Sequence, residues 1–186
     1  METKDILDLS FKAGTVIFAA ITVWKALKEL RDNHEQRRND LKWKQAEAAK
    51  NLIDAWMGNK EAFSFCRMIE YENRSFINEE GNEFHCNVGL IIKALNNDAK
   101  EIINSVDADE RYIRDTCDAF LYYTELMNQG LESNLYLLKN LIFPLRYYLQ
   151  RMNQKGLYDT VINYASRNGF RGSINLFNEL HILDNK

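Results

Sequence analysis

Helix-breaking residues are scarce along this chain, and this scarcity constrains its fold more than any other feature of the sequence. The 186 residues include one proline and eight glycines, and neither residue type occurs between Thr15 and Met57. Proline and glycine interrupt helices and mark turns, and the alternating polar and apolar runs typical of strands are rare here. The pattern therefore predicts an all-α fold that begins with an unusually long helix.

An uncharged apolar segment, AGTVIFAAITVW, runs from Ala13 to Trp24. It rises about 18 Å as a helix, less than the roughly 30 Å of a bilayer's hydrocarbon core, so length alone does not separate a core helix, a signal peptide and a membrane helix. A signal peptide is disfavoured, because acidic residues precede the segment and no small-x-small cleavage site follows it. Lys12 and Lys25 flank it, and their long side chains extend the usable span toward about twenty residues. We predict a membrane-embedded helix near residues 6–27; a soluble protein with a core helix remains the alternative.

Charges on the two sides of this segment predict its orientation. Eight basic residues lie on its C-terminal side between Lys25 and Lys50, whereas Lys4 is the one basic residue before the flanking Lys12. The positive-inside rule then places the N-terminus outside and the rest of the chain in the cytoplasm, with Trp24 at the interface. Residues 31–40 are charged on all sides, as in a helix that projects through water or headgroups. We expect a membrane helix at 1–30, its charged juxtamembrane continuation at 31–58 and a cytoplasmic helical body at 59–186.

Seven-residue spacing places small and polar residues of this helix on one stripe. Its members are Asp5, Asp8, Lys12, Thr15, Ala19, Thr22, Ala26 and Glu29. Bulky apolar residues occupy the rest of the circumference, as lipid-facing positions do; they include Phe11, Ile17, Phe18, Ile21 and Trp24. Several helices side by side can approach closely along such a stripe or surround water with it. The stripe therefore predicts an oligomer or a pore lining, and chance alignment of common small residues is the alternative.

In the body, glycine and asparagine positions predict where helices end. Gly58 fits a left-handed helix end, followed by a second helix that ends near Glu72. Residues 73–87 are the least helical part, and we interpret them as a loop, although the Gly81 turn would also allow two short strands. Short helices are expected at 88–95 and 99–106. Asp107 with Glu110 predicts a capping box for a helix that stops at Gly130.

Proline and serine organise the last third of the sequence. A helix from about residue 131 to residue 152 contains Pro144, which predicts a kink after Phe143 or a break between two helices. A further helix is expected at 157–167, ended by Gly169. Ser173 is expected to cap the last helix, at 173–182.

Residues of catalytic type are present, but without the spacings that catalysis needs. Cys66, Cys86 and Cys117 are an odd number with no C-x-x-C, which disfavours a disulfide framework or a zinc site and fits a reducing compartment. The sequence has no glycine-rich phosphate loop, no G-x-S-x-G and no H-E-x-x-H. No histidine follows an arginine at the R-x4-6-H spacing of HEPN ribonucleases. We predict that the protein is not an enzyme and uses no metal and no cofactor.

The charge balance gives no reason to expect nucleic acid as the main ligand. The formal net charge is −3, from 24 basic and 27 acidic residues, whereas nucleic-acid binding favours a basic excess. Arg37, Arg38, Lys42 and Lys44 surround Trp43 and could touch RNA, but anionic lipids are the more economical partner beside a membrane segment. Direct nucleic-acid binding is therefore not expected.

The order of these features resembles a known family. The N-terminal apolar helix, its continuation LRDNHEQRRNDLKWKQAEAAKNLIDAW and the later helix DERYIRDTCDAFLYYTELMNQG are similar to the small membrane-anchored bacterial proteins related to the accessory protein of type VI-B CRISPR systems. The resemblance covers most of the chain through loose patterns of aromatic, Arg and Glu positions. It implies a divergent HEPN-like body and a homo-oligomeric ring with a pore through the bacterial inner membrane. The missing R-x4-6-H pattern departs from HEPN ribonucleases and puts that activity in doubt.

Three hypotheses follow. The first is a pore-forming accessory protein that permeabilises the membrane and strengthens antiviral interference by an RNA-guided, RNA-targeting nuclease. The second is a membrane-tethered, HEPN-like domain that binds or cleaves RNA. The third is a soluble interaction module.

Overall fold

The computed structural model describes residues 3–96 and 107–184, with side chains described for residue 18 and for residues 21–96 and 107–180. Within these ranges the chain forms seven α-helices and one two-stranded hairpin. The elements are α1 (Thr3–Gly58), α2 (Lys60–Glu70), β1 (Arg74–Ile77), β2 (Glu83–Cys86), α3 (Val88–Asn96), α4 (Ala108–Glu132), a 3₁₀ turn (Leu138–Asn140), α5 (Ile142–Gln154), α6 (Tyr158–Asn168) and α7 (Arg171–Asp184). The predicted helical character is confirmed.

The chain divides into two compact units, residues 1–44 and residues 45–186. The first unit is the N-terminal part of α1. The second contains the end of α1 and all the elements from α2 to α7. The predicted helix at 99–106 lies outside the described residues.

Helix α4 is the central element of the second unit, and its neighbours there are α2, α3 and α7. Phe120, on the buried face of α4, lies 5.9 Å from Trp56, 5.4 Å from Phe65 and 6.1 Å from Phe177, measured between ring centroids. All four rings are fully buried. Burial of an aromatic side chain contributes about 1.5–3 kcal/mol, and tilted ring pairs add to it. This cluster joins the end of α1, α2, α4 and α7.

The segment 73–87, interpreted above as a loop, is an antiparallel hairpin, so that prediction is wrong. Phe76 and Phe84 are partners across the two strands and both are buried. The Asn78 side chain accepts hydrogen bonds from the backbone N–H groups of Glu80 and Asn82, at 3.1 and 2.9 Å, and shapes the turn. Gly81 has φ of +84°, which glycine adopts without strain. The strands have four residues each, and the two apolar residues of β1, Phe76 and Ile77, are adjacent, so sequence periodicity does not identify them.

Helix ends differ from the predictions in three places. Gly58 ends α1 without a positive φ, and Asn59 caps α2 by accepting a hydrogen bond from the Ala62 N–H at 2.8 Å. Helix α4 continues past Gly130 to Glu132. Helix α7 begins at Arg171, so Ser173 lies inside it.

Other predicted ends are confirmed. Gly169 adopts a left-handed conformation at the end of α6, and the predicted break at Phe143 is present in α5. The predicted start of that helix at residue 131 is wrong, because residues 131 and 132 belong to α4 and residues 133–137 are not helical. Asp107 caps α4 by accepting from the Asp109 N–H at 3.4 Å, while Glu110 forms an ion pair with Lys93 at 2.6 Å. Asp107 therefore caps α4 as predicted, and the Glu110 side chain pairs with Lys93 of α3.

Candidate functional site on the N-terminal helix

Large apolar side chains in the N-terminal part of α1 are exposed. From Ile21 to Lys44 every side chain of the helix is exposed. Phe18 is 73% exposed and Trp24 is 65% exposed, and four aliphatic side chains between residues 21 and 30 are more than half exposed. These are Ile21, Val23, Leu27 and Leu30. Several large apolar side chains exposed on one short stretch of helix mark a candidate interaction site.

Polar groups near this surface are partly satisfied within the helix itself. The Thr22 hydroxyl donates a hydrogen bond to the Phe18 carbonyl oxygen at 2.9 Å. The Lys28 ammonium lies 5.8 Å from the centroid of the Trp24 ring, within cation–π range. Thr22 can therefore face an apolar neighbour without an unpaired hydroxyl proton.

The predicted stripe lies partly within this surface. Thr22, Ala26 and Glu29 are exposed. The remaining members are in the helical backbone of α1, but their side chains lie outside the described part; these are Asp5, Asp8, Lys12, Thr15 and Ala19. Among the predicted lipid-facing residues, Phe18, Ile21 and Trp24 are exposed, and the side chains of Phe11 and Ile17 are not described. The division between pore-lining and lipid-facing residues stays a prediction.

The predicted membrane-embedded helix is not supported by helix length and hydropathy. Among the described residues, no helix combines enough length with enough apolar character to span a bilayer.

Residues 31–44 separate positive from negative charge on opposite sides of the helix. At about 100° per residue, one half of the circumference carries the basic residues, and we call it the basic face. It consists of Arg31, Arg37, Arg38, Lys42 and Lys44, with His34 and Leu41 among them. The opposite half, the acidic face, carries Asp32, Glu35 and Asp40, with Trp43 among them. The sequence interpretation recognised only that charge surrounds the helix, although helical spacing would have revealed this division.

The charges on both faces are unpaired within one chain. Residues 31–44 are completely described, and none of their charged groups lies within ion-pair distance of another. Trp43 is 74% exposed and Leu41 is 57% exposed. This stretch therefore presents two oppositely charged surfaces, each with one large apolar side chain.

The second unit holds its three thiols in the core. Cys66, Cys86 and Cys117 are free and buried. Burial raises the pKa of the Cys86 thiol to about 12 and also raises the pKa of the Cys66 and Cys117 thiols, all because the thiolate would lose its hydration. Since the thiolate is the reactive form, these side chains act as small apolar core residues.

Two arginines of the second unit bind the end of α3. The Arg114 Nε donates to the Ala94 carbonyl at 2.6 Å, and Arg167 donates to the carbonyls of Asn96, at 3.2 Å, and Leu95. Carbonyl groups in the last turn of a helix lack intrahelical partners, and cations there also complement the helix dipole. Arg114, on α4, therefore stabilises the end of another helix.

Polar groups elsewhere in the second unit also serve the fold. The Glu125 carboxylate accepts hydrogen bonds from the backbone N–H groups of Gly172 and Ser173, at 3.1 and 2.9 Å, and so caps α7 from another helix. His85, on β2, lies 3.4 Å from the Ser75 hydroxyl, measured from Nε2 to Oγ. In the described ranges no group of three or more His, Cys, Asp or Glu side chains is arranged to hold a metal ion. The exposed segment of α1 is therefore the strongest candidate site.

Comparisons with protein-family models, curated proteins and solved structures find no match to this chain.

Proposed function

We propose that this protein is a non-enzymatic, self-assembling effector that associates with the bacterial inner membrane through α1 and permeabilises it. As the family resemblance implies, it would do so in support of an RNA-guided, RNA-targeting nuclease in antiviral defence. The single observation that carries the proposal is the uncovered apolar surface of α1 between Phe18 and Leu30.

Removing the exposed apolar side chains of α1 from water is energetically favourable. Complete burial of one Phe, Leu or Ile side chain contributes about 1.5–3 kcal/mol. Six side chains between residues 18 and 30 are each more than half exposed, so covering them by lipid, by other copies or by both is strongly favourable. Lys25 and Lys28 lie within this stretch, and both can extend toward headgroups along their apolar stems.

Assembly compensates for the shortness of the apolar segment. A short apolar helix is accommodated by local thinning of the bilayer, by extension of flanking side chains and by oligomerisation. Small residues such as Ala19, Thr22 and Ala26 allow close approach between helices. A ring of copies would place its polar stripe toward a central passage and its bulky residues toward lipid.

Dye release from vesicles tests the proposal directly. The full-length protein is added to vesicles of phosphatidylethanolamine and phosphatidylglycerol loaded with a self-quenching dye. We expect release by the wild type and at least about a tenfold slower release by Phe18→Ser/Ile21→Ser/Trp24→Ser, because three of the exposed apolar contacts are lost. The matched control is Tyr71→Ser/Ile77→Ser/Leu135→Ser, which removes exposed apolar side chains from the second unit and should leave release unchanged.

A separate variant tests which residues line the proposed pore. Replacing Thr15, Ala19 and Thr22 by leucine should stop release while vesicle flotation remains intact, because bulky side chains would fill the passage. Retained release would refute the lining assignment. Wild-type protein that neither floats with vesicles nor releases dye would refute the proposed function.

A cellular measurement connects the activity to defence. Cells expressing the protein with an activated RNA-targeting nuclease should lose membrane potential, reported by a potential-sensitive dye, whereas cells with the serine variant should not. Effective defence with unchanged potential would contradict the proposal.

A further inference from the structure

The opposite charges on residues 31–44 suggest a specific partner for each face of α1. The basic face extends from Arg31 to Lys44, about 20 Å along the helix axis, and the acidic face from Asp32 to Asp40, about 12 Å. All these side chains are exposed. If neighbours of a single kind pair with both faces, each neighbour must carry a basic face and an acidic face on opposite sides of its own helix.

We propose that the basic face of one copy packs against the acidic face of the next copy. This inference rests on the proposed function, because it specifies how the copies of α1 assemble there. Pairing two identical faces would bring like charges together, which is unfavourable. Pairing opposite faces is a head-to-tail contact, and its repetition closes a ring when the rotation between copies is suitable.

Copies related by the rotation axis of a ring point the same way, so the proposed contact is between parallel helices in register. The extent of the basic face covers that of the acidic face, so Arg37 and Arg38 of one copy lie at the height of Glu35 and Asp40 of its neighbour when both helices point the same way. Trp43 is 74% exposed on the acidic face, where an arginine from the next copy can stack on its ring. Each contact therefore combines ion pairs with one cation–π pair.

A polyanion would pair with only one of the two charged faces. Anionic lipid or RNA would occupy the basic face, but it would leave three carboxylates and an exposed tryptophan on the other side without a partner. A second copy of this chain uses both faces, which is why we infer the copy rather than the polyanion.

Charge reversal on each face provides the test. The basic face is reversed by Arg37→Glu/Arg38→Glu/Lys42→Glu, and the acidic face by Asp32→Lys/Glu35→Lys/Asp40→Lys. The matched control for the second reversal is Glu61→Lys/Glu80→Lys/Glu83→Lys, which makes the same charge change on exposed residues of the second unit. Oligomeric state is measured by mass photometry and cross-linking of the full-length protein in detergent, with circular dichroism to verify folding.

Each reversed variant should lose at least about tenfold in oligomer fraction, because both faces of every copy then carry the same sign. The control should assemble like the wild type. Mixing the two reversed variants should restore oligomers in which they alternate strictly, and raising the salt concentration should weaken wild-type assembly.

Outcomes that overturn the inference differ from those that overturn the proposed function. Reversed variants that assemble normally would refute the charged contact and leave membrane permeabilisation standing. Loss of phosphatidylglycerol vesicle binding or of oligouridylate RNA binding in the basic-face variant, with assembly intact, would assign that face to lipid or to RNA. A wild type that is monomeric in detergent and in vesicles would refute the proposed function itself.

Discussion

Two acidic side chains face each other between the hairpin turn and α4. The charge of Glu79, in the turn, acts on the carboxyl group of Asp115, on α4. The pKa of Asp115 is raised from 3.8 to about 6, first by burial and then by the charges of Glu79 and Asp118, while Arg111 lowers it. Folding therefore favours the protonated form of this side chain.

This pair makes stability depend on pH in a defined direction. The folded pKa lies above the unfolded value, so the stabilisation from the bound proton is complete below about pH 4 and is lost as pH rises through about 6. We predict that Asp115→Asn raises the melting temperature relative to wild type at pH 7.5 but changes it little near pH 4. Thermal unfolding followed by circular dichroism at both pH values checks this. An equal effect at the two values would contradict the assignment.

Glu125 contributes stability through one helix end. Its carboxylate accepts from the backbone N–H groups of Gly172 and Ser173, and Ser173 is fully buried. We predict that Glu125→Ala lowers the free energy of unfolding by about 1–3 kcal/mol, because two backbone donors lose their acceptor. Glu179→Ala, an exposed change on α7, should stay within about 0.5 kcal/mol. Urea unfolding measures both variants, and equal losses would show that Glu125 does not act as a cap.

At the scale of elements, two glycines at or near the ends of helices should respond in opposite directions to the same change. A methyl group added at Gly130 would lie 2.1 Å from the Tyr136 hydroxyl oxygen, whereas one added at Gly58 would meet no atom within 4 Å. Tyr136 is buried and donates a hydrogen bond to the Leu126 carbonyl at 3.1 Å. The ring therefore has little room to move.

We predict that Gly130→Ala destabilises the protein by about 1–3 kcal/mol through overpacking. Gly58→Ala should be neutral or stabilising by up to about 1 kcal/mol, because alanine loses less backbone entropy in a helix. Urea unfolding of the two variants supplies the comparison. A stabilised Gly130→Ala variant would mean that Tyr136 readily leaves α4.

Sequence patterns predicted the helices and helix ends that are determined by residues close in the sequence. The absence of breakers predicted the long α1, Gly169 predicted the end of α6 and Pro144 predicted the break at Phe143. Features set by distant residues were missed. The cap of α7 comes from Glu125, which lies 48 residues before Ser173 in the sequence. The stop predicted at Gly130 was wrong for a different reason: glycine is tolerated inside α4, where the Tyr136 ring lies close to it.

For the candidate site, the sequence predicted the position but not the separation of charges. Its proposed position on α1 follows from the apolar segment alone, and the described side chains of that segment are exposed. The separation of charges at residues 31–44 was also available from helical spacing, but an interpretation based on the total charge of the segment did not show it. In the proposed assembly, the residues that would face lipid are determined by contacts between copies, and these contacts do not follow from local sequence patterns.

At the scale of the whole molecule, tryptophan fluorescence should report membrane association. The chain has three tryptophans, of which Trp24 and Trp43 are exposed and Trp56 is fully buried. We predict that brominated phosphatidylcholine, mixed with phosphatidylglycerol, quenches the wild type and Trp43→Phe but hardly quenches Trp24→Phe, because Trp24 lies in the apolar segment. Equal quenching of both variants would contradict this placement.

The buried thiols have a practical consequence for studying α1. Because the thiolate reacts and burial disfavours it, maleimide should modify the folded protein slowly at all three native cysteines. A cysteine introduced at the exposed Asn33 or Asn39 would then be labelled selectively, without removing any core residue and opening a cavity. A spin label at either position would test the proposed assembly, because it measures the distance between copies in an otherwise native protein.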